Sequence, residues 1–297
     1  MSKKTLGIIL AAGKSSRLYP ATLAATKQVL PIYDKPLVYY PLSTLMLAGV
    51  REFVLISTPQ EKPIFQALFK DCEETMGIKM YYGVQNNSNG IADAFNVVME
   101  TLHGSINVYD RYALILGDNI FYGATMSGQI RDANEHTGAT IFATKVSDPE
   151  RFGIVELNGK VAVSLEEKPE TPKSNLAVTG LYFYPQDVFD RVYRLKPSLR
   201  GELEITDLNR EYLNSNDLTV IKLARGVVWF DTGTPDSMLD ASNIIQTLQK
   251  RQNILIGSPH EVAYNNGWIN QEQLFRTITV CNKTEYGSLL ANLLSNE

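Results

Sequence analysis

Up to Lys145 the chain alternates short apolar, β-branched runs with stretches of helical period, and only brief polar connections separate them. Thr5–Leu10 suits a strand covered on both faces. Phe53–Ser57, Met80–Val84, Tyr112–Leu116 and Thr140–Lys145 read as further strands. Between them, Pro36–Ala48, Lys62–Lys70, Ile91–Leu102 and Met126–Glu135 read as helices. In the first, Leu37, Tyr40, Leu45 and Ala48 recur at helical spacing and Gly49 follows as a stop. Such alternation predicts a parallel α/β sheet. Ligands of these sheets sit beyond the carboxyl ends of the strands, where the loop after Leu10 and Asp118 both fall.

After residue 150 the rhythm changes. Ile154–Leu157 and Val161–Leu165 flank Asn158-Gly159, a strong hairpin signal. Val178–Tyr184, Val220–Leu223 and Val227–Phe230 read as strands; Gln186–Arg194, Glu204–Asn214 and Pro235–Lys250 read as helices. Residues 252–297 read as a helical appendage packed on a core of residues 1–251, with no linker between them.

Charge and composition narrow the function. A net charge of -4 disfavours a nucleic-acid partner, although local cations can still recruit an anion. The 2 cysteines lie far apart and the 3 histidines are isolated, which argues against a disulfide framework and a His or Cys metal cluster and fits a reducing cytoplasm. The apolar run near the amino terminus is followed by Lys14 and Arg17 where a signal peptide would place its cleavage region, so it reads as a strand. No run approaches the ~18 apolar residues of a membrane span.

The stretch Gly7–Pro20 resembles a Walker phosphate loop but places five residues, not four, before its Gly13-Lys14-Ser15. It still offers consecutive backbone amides, Gly13, the hydroxyls of Ser15 and Ser16, and the cations Lys14 and Arg17. That is a place for a polyphosphate; the bland alternative is a solvated turn. Lys27 follows in Lys27-Gln-Val-Leu-Pro31. Asp118, in Gly117-Asp-Asn119, ends a buried strand and can hold magnesium against phosphate oxygens, or merely cap a turn. Asp231, in Trp229-Phe-Asp-Thr-Gly233, is a second carboxylate in the same situation, and two make a metal site. Arg200 precedes an acidic helix start and has the fixed fork of donors that clamps phosphate.

Taken in order, Leu10–Pro20, Lys27–Pro31, Leu116–Asn119, Glu166-Glu-Lys-Pro169, Val178–Tyr182, Arg200–Asp207 and Trp229–Gly233 resemble the sugar nucleotidyltransferases over nearly the whole chain. Pro31–Pro36 and Tyr39–Gly49 look like the glucose-1-phosphate thymidylyltransferase branch in particular. The resemblance implies a Rossmann-like, mixed but mostly parallel sheet flanked by helices, with nucleotide bound by residues 1–150 and sugar phosphate by 151–251. It implies magnesium-dependent transfer from dTTP to glucose 1-phosphate, giving dTDP-glucose and pyrophosphate, a first step toward deoxysugars. It implies a homotetramer, without nucleic-acid or membrane partners.

The resemblance also implies roles. Leu10, Ala11, Ala12, Gly13, Lys14, Ser15, Ser16 and Arg17 would line the nucleotide phosphates; Gln28, Gln85, Ser88, Gly90, Asp118 and Asn119 complete the nucleotide set. Gly153, Glu167, Lys168, Val178, Tyr182 and Arg200 match the sugar-phosphate pocket. Asp118 and Asp231 match the magnesium ligands. Arg17, Lys27 and Lys168 would stabilise charge, and these three with the two aspartates form the catalytic set. Phe121–Gly123 and Arg225 match parts of a second nucleotide site that relatives carry at a subunit interface.

The chain departs from the family pattern in three places. Ala12 stands at a usual glycine, Ala24-Ala25 lengthens the loop before Lys27, and Gln85–Asp93 lacks two prolines and has Asp93 in place of a neutral amide. The lost prolines lead one to expect a looser 85–93 loop. Alternatives are the same chemistry with UTP or another sugar 1-phosphate, a non-catalytic sugar-nucleotide-binding regulator, and a nicotinamide dehydrogenase, which the missing Gly-x-Gly-x-x-Gly disfavours.

Overall fold

The computed structural model describes residues 3–13, 15–87 and 89–295. In chain order its first elements are β1 (Thr5–Leu10), β2 (Pro31–Ile32), β3 (Lys35–Pro36), α1 (Tyr39–Met46), β4 (Glu52–Ser57), α2 (Lys62–Leu68), α3 (Cys72–Met76), β5 (Lys79–Val84), α4 (Ala94–Thr101), β6 (Arg111–Leu116), β7 (Asn119–Tyr122), α5 (Met126–Glu135) and β8 (Ala139–Lys145). Then follow β9 (Gly153–Asn158), β10 (Val161–Glu167), β11 (Leu176–Pro185), α6 (Val188–Arg194), α7 (Ile205–Asn214), β12 (Leu218–Lys222), β13 (Val228–Asp231), α8 (Pro235–Gln252), α9 (Pro259–Asn265), α10 (Gln271–Cys281) and α11 (Glu285–Ser295).

The main sheet runs β10-β9-β11-β6-β1-β4-β5, with β8 paired to β11 and β12 to β8. β6, β1, β4 and β5 are mutually parallel, as the strand–helix rhythm predicts. β11 joins β6 antiparallel and brings in the second half of the chain. Side chains alternate between faces along β1. Leu6 and Ile8 enter an apolar layer with Phe95, Tyr184 and Leu208; Ile9 enters another with Leu42, Phe65 and Phe142. This double cover explains the near-continuous apolar run.

Several boundaries differ from the sequence reading for identifiable reasons. α1 starts at Tyr39, not Pro36, because Pro31–Pro36 closes on itself as the β2–β3 hairpin. α4 starts at Ala94, because the preceding segment is bonded to another part of the chain: Ala92 N–H donates to Leu203 O at 3.1 Å and Leu203 N–H to Asn89 O at 2.6 Å. β2, β3, β7 and α3 had no clear sequence signal. β13 was legible as a strand but pairs only with β7, antiparallel and off the main sheet, setting Asp231 opposite Asn119.

The carboxy-terminal helices pack on the α1 and α3 side. Val262, Leu274, Tyr286 and Leu290 belong to the same apolar layer as Leu42 and Phe69. A buried polar network joins this segment to the β2–β3 hairpin. Lys35, 3% exposed, pairs with Asp34 and donates to Gln249 Oε1 at 3.1 Å; Gln249 Nε2 donates to Asp34 Oδ2 at 2.9 Å, and Ile256 N–H to Gln249 Oε1 at 2.9 Å. Tyr286 Oη meets Ser258 Oγ at 2.7 Å and His260 Nδ1 at 2.8 Å.

Two titratable neighbours in this segment are driven in opposite directions. Burial holds the His260 imidazole down at about 4, and burial pushes the Glu261 carboxyl up to about 7 against the pull of Lys35. A raised carboxyl favours the fold below its ordinary 4.5 and loses that contribution as pH rises to about 7. A lowered imidazole acts with the opposite sign, its contribution being lost as pH falls from 6.5 toward about 4. Glu261→Gln should therefore gain stability on the parent as pH rises through the carboxyl's window, by up to about 3 kcal/mol, and stay level above it. Urea unfolding at stepped pH measures the gap; a gap independent of pH would remove Glu261 as the titrating group.

Candidate active site

A cavity of about 670 Å³ opens at the carboxyl ends of β1, β5 and β6. Its size suits a small-molecule ligand. One wall is the end of β1 and the loop after it, with Leu10, Ala12, Gly13 and Arg17. Gln85 and Gly90 come from the segment after β5, and Asp118 and Asn119 from the bend between β6 and β7. The opposite wall holds Gly153, Glu167, Lys168, Val178, Tyr182 and Arg200 from the second half of the chain, and Asp231 closes the end.

The β7–β13 ribbon brings the two aspartates together. Thr232 N–H and Oγ1 both donate to the Asp118 carbonyl, at 3.1 and 2.7 Å. Asn119 secures the junction: its Oδ1 accepts from Gly180 N–H at 3.1 Å and Trp229 Nε1 at 2.6 Å, while its Nδ2 donates to Asp118 Oδ1 at 2.9 Å. Burial and then the adjacent Asp118 push the Asp231 carboxyl above its usual range, against the pull of Lys27, Arg17 and Arg151. The Lys27 ammonium pairs with Asp118. A Cβ on Gly233 would lie 2.7 Å from Arg17 Nη2 and 3.2 Å from Asp231 Oδ1, so the missing side chain is what admits the guanidinium beside this carboxylate.

The far wall is a knot of charge. Arg200 Nη2 lies 2.8 and 2.9 Å from the two oxygens of Glu204, 3.5 Å from Glu202 and 3.7 Å from Glu167. Glu167 also accepts from Thr206 Oγ1 at 2.6 Å, and Lys168 Nζ stands 3.7 Å from it. Burial raises the Tyr182 phenol well above its usual value, so it remains a hydrogen-bond donor across the neutral range.

Several expected residues are not part of the cavity wall. Ala11 is fully buried, and its N–H donates to Ile56 O at 2.7 Å, so this amide is taken by the sheet edge. Gln28, 1% exposed, packs beneath Gly117 and bonds to Thr26. Lys27 is 7% exposed and stands behind the wall, paired with Asp118. Ser15 turns back to donate to Gly13 O at 3.2 Å, and Ser16 begins a helical turn on the outside. Lys14 and Ser88 lie outside the described residues.

Conversely, Arg151, Phe152, Gly180, Glu202, Glu204, Thr206 and Trp229 line the cavity unforeseen. Arg151, two residues before Gly153, was the readable signal; Glu204 read as a helix-start acid. Asp93 collects amide donors from Gln85 at 3.0 Å, Asn89 at 3.3 Å and Asn96 at 3.0 Å, so these described residues are tied together by hydrogen bonds.

The donor set fits a hard divalent cation. Two neighbouring carboxylates, one of them disfavoured as an anion by the other, gain from a positive charge between them. Among the described residues no third His, Cys, Asp or Glu joins them into a closed cage. That suits magnesium, which takes one or two carboxylates and fills its sphere with phosphate oxygens and water.

Residues 6–247 match the family described as nucleotidyl transferase. The chain belongs to that family. As a nucleotidyltransferase it is an enzyme. It is 48% identical over 290 residues to a glucose-1-phosphate thymidylyltransferase of Neisseria meningitidis, covering 97% of this chain and 99% of that one. It is 46% identical to the enzyme of that name from Mycobacterium tuberculosis, covering 97% and 98%. A solved structure from Bacillus anthracis in complex with a sucrose is similar with a TM-score of 0.72 and 36% identity, over 81% of this nucleotidyltransferase and 94% of that chain. Among the described residues no helix is long and apolar enough to cross a membrane.

Proposed function

We propose that the chain is a glucose-1-phosphate thymidylyltransferase, joining dTTP and glucose 1-phosphate into dTDP-glucose with release of pyrophosphate. The observation that carries this reading is one cavity with Arg17, Asp118 and Asp231 at one end and Lys168 and Arg200 at the other, in a chain nearly half identical over its length to enzymes of that name. The nucleotide belongs on the half built from residues 1–150 and the sugar phosphate on the half from 151–251. The same reading includes the homotetramer and the cytoplasmic location.

A sugar phosphate oxygen attacks the α-phosphorus; a new P–O bond forms there, and the bond to the bridging oxygen breaks toward pyrophosphate. The attacking phosphate is already a dianion near neutral pH, its second pKa being ~6, so no general base is needed. The difficulty is bringing two anions into line. Arg17 and the backbone after β1 hold the triphosphate, and Arg200 and Lys168 hold the sugar phosphate. Magnesium held by Asp118 and Asp231 supplies charge neutralisation of the phosphate oxygens. Lys27 keeps Asp118 oriented.

The test is pyrophosphate release by the purified protein with magnesium and glucose 1-phosphate, comparing dTTP, UTP, CTP, GTP and ATP. Fastest release with dTTP is expected. Fastest release with UTP would move the activity to a neighbouring branch of the family. Binding without release, repeated with other sugar phosphates, would favour a regulator.

A further inference from the structure

The half of the cavity proposed for the sugar phosphate poses a charge problem. Arg200 and Lys168 line it, and so do Glu167, Glu202 and Glu204. On net charge alone, these carboxylates outnumber the cations and repel a phosphate dianion. Geometry offers the resolution, through Glu204. The residue is 8% exposed and directly precedes α7, whose amino-terminal end favours a negative charge. Ser198 Oγ donates to its Oε1 at 2.8 Å and accepts from the Arg200 backbone N–H at 3.2 Å, so one hydroxyl ties both residues to the same turn. The Glu204 carboxylate is thus a fixed point.

The guanidinium of Arg200, by contrast, ends a long side chain that is 48% exposed. An unanchored chain of this kind must give up rotamer freedom when a ligand arrives. Glu204 takes one side of the fork: Arg200 Nε donates to Oε1 at 3.1 Å, and Nη2 to Oε1 and Oε2 at 2.8 and 2.9 Å. Glu202 and Glu167 stand farther from Nη2, at 3.5 and 3.7 Å. Among the described residues no acceptor takes Nη1. The fork is anchored along Nε and Nη2, and the two N–H groups of Nη1 remain for a ligand.

We propose that Glu204 is a positioning residue for the transfer reaction: it grips the Arg200 guanidinium by one side and so presents the Nη1 side, already oriented, to the phosphate of the sugar substrate. This rests on the nucleotidyl-transfer reading, in which Arg200 receives that phosphate. Glu204 itself touches no phosphate. A planar fork pairs its donors with phosphate only when its plane is set, and a misplacement of ~1 Å at such a contact costs about a hundredfold. That orientation outweighs the repulsion from a carboxylate whose charge is already paired.

The test follows pyrophosphate release with magnesium, dTTP and glucose 1-phosphate, and measures kcat and both KM values in the parent, Glu204→Gln, Arg200→Ala and the double variant. Glutamine keeps the size of the side chain but accepts through one oxygen only, and its NH₂ repels the guanidinium. Glu204→Gln should raise the KM for glucose 1-phosphate by about tenfold or more and leave that for dTTP within about twofold. Arg200→Ala should raise the same KM, and Glu204→Gln should add nothing further in that background, since the group it orients is gone. A merely structural Glu204 would raise both KM values, lower the melting temperature and do so equally without Arg200; that result overturns the proposal. A lowered KM for glucose 1-phosphate in Glu204→Gln also overturns it, making the carboxylate a competitor for Arg200, as does a parental KM in Arg200→Ala. Should Glu204→Gln fail to fold, Ser198→Ala removes the hydroxyl that ties Glu204 to Arg200; the same one-sided rise in KM is expected, and its absence counts against the proposal. A parent that works fastest with UTP would overturn the thymidylyltransferase reading alone, since the same comparison then runs with UTP in place of dTTP.

Discussion

Asp231→Asn is expected to lose turnover and keep, or gain, stability. Its carboxyl is disfavoured as an anion by burial and by Asp118. Neutralising it removes that repulsion, so the melting temperature should equal or exceed that of the parent. The same neutralisation halves the carboxylate pair that the proposed reaction offers to magnesium. A contact of this kind is worth about 3 kcal/mol, so kcat should fall at least about a hundredfold. Turnover and a thermal melt on one preparation decide the matter. Near-parental turnover would take Asp231 out of the reaction; an unfolded variant would show that the carboxylate holds the β7–β13 ribbon.

Arg17→Ala should have an effect of similar size from the opposite charge. The guanidinium stands beside Asp231 in the space that Gly233 leaves open, at the end of the cavity proposed for the nucleotide. Its residue is exposed, so the fold should not depend on it. Removing the cation withdraws stabilisation from the negative charge on the transferring phosphoryl oxygens and the leaving group, and a loss of about a hundredfold or more in kcat/KM is expected. Arg17→Lys should recover only part of it, because a point charge does not reproduce a planar fork. Full recovery by lysine would reduce the role of Arg17 to net charge.

Much of the first half of the fold was legible, because strands buried on both faces declare themselves as unbroken apolar runs. β1 and β6 are of this kind, and so the loops at their carboxyl ends could be named as site elements. The second half was harder. β13 carries a recognisable pattern, yet nothing local specifies that its partner is the four-residue β7, and this pairing sets Asp231 beside Asp118. The aspartates were readable by type and position; their juxtaposition is a property of the ribbon. Lys27 and Gln28 show what a motif leaves open: it locates them near the site, but packing decides that one pairs with Asp118 and the other lies beneath Gly117. Asp93 was noticed only as a departure, because its three amide partners Gln85, Asn89 and Asn96 become its neighbours only in the folded chain.

Asn119 accepts bonds at one oxygen from Gly180 and Trp229, which lie far apart in the chain. No early fragment can assemble that junction, since its members are not all present until β13 has been synthesised and docked. A chain that stops short of β13 would also lack Asp231, so the carboxylate pair and the junction that sets it are completed together by the last strand.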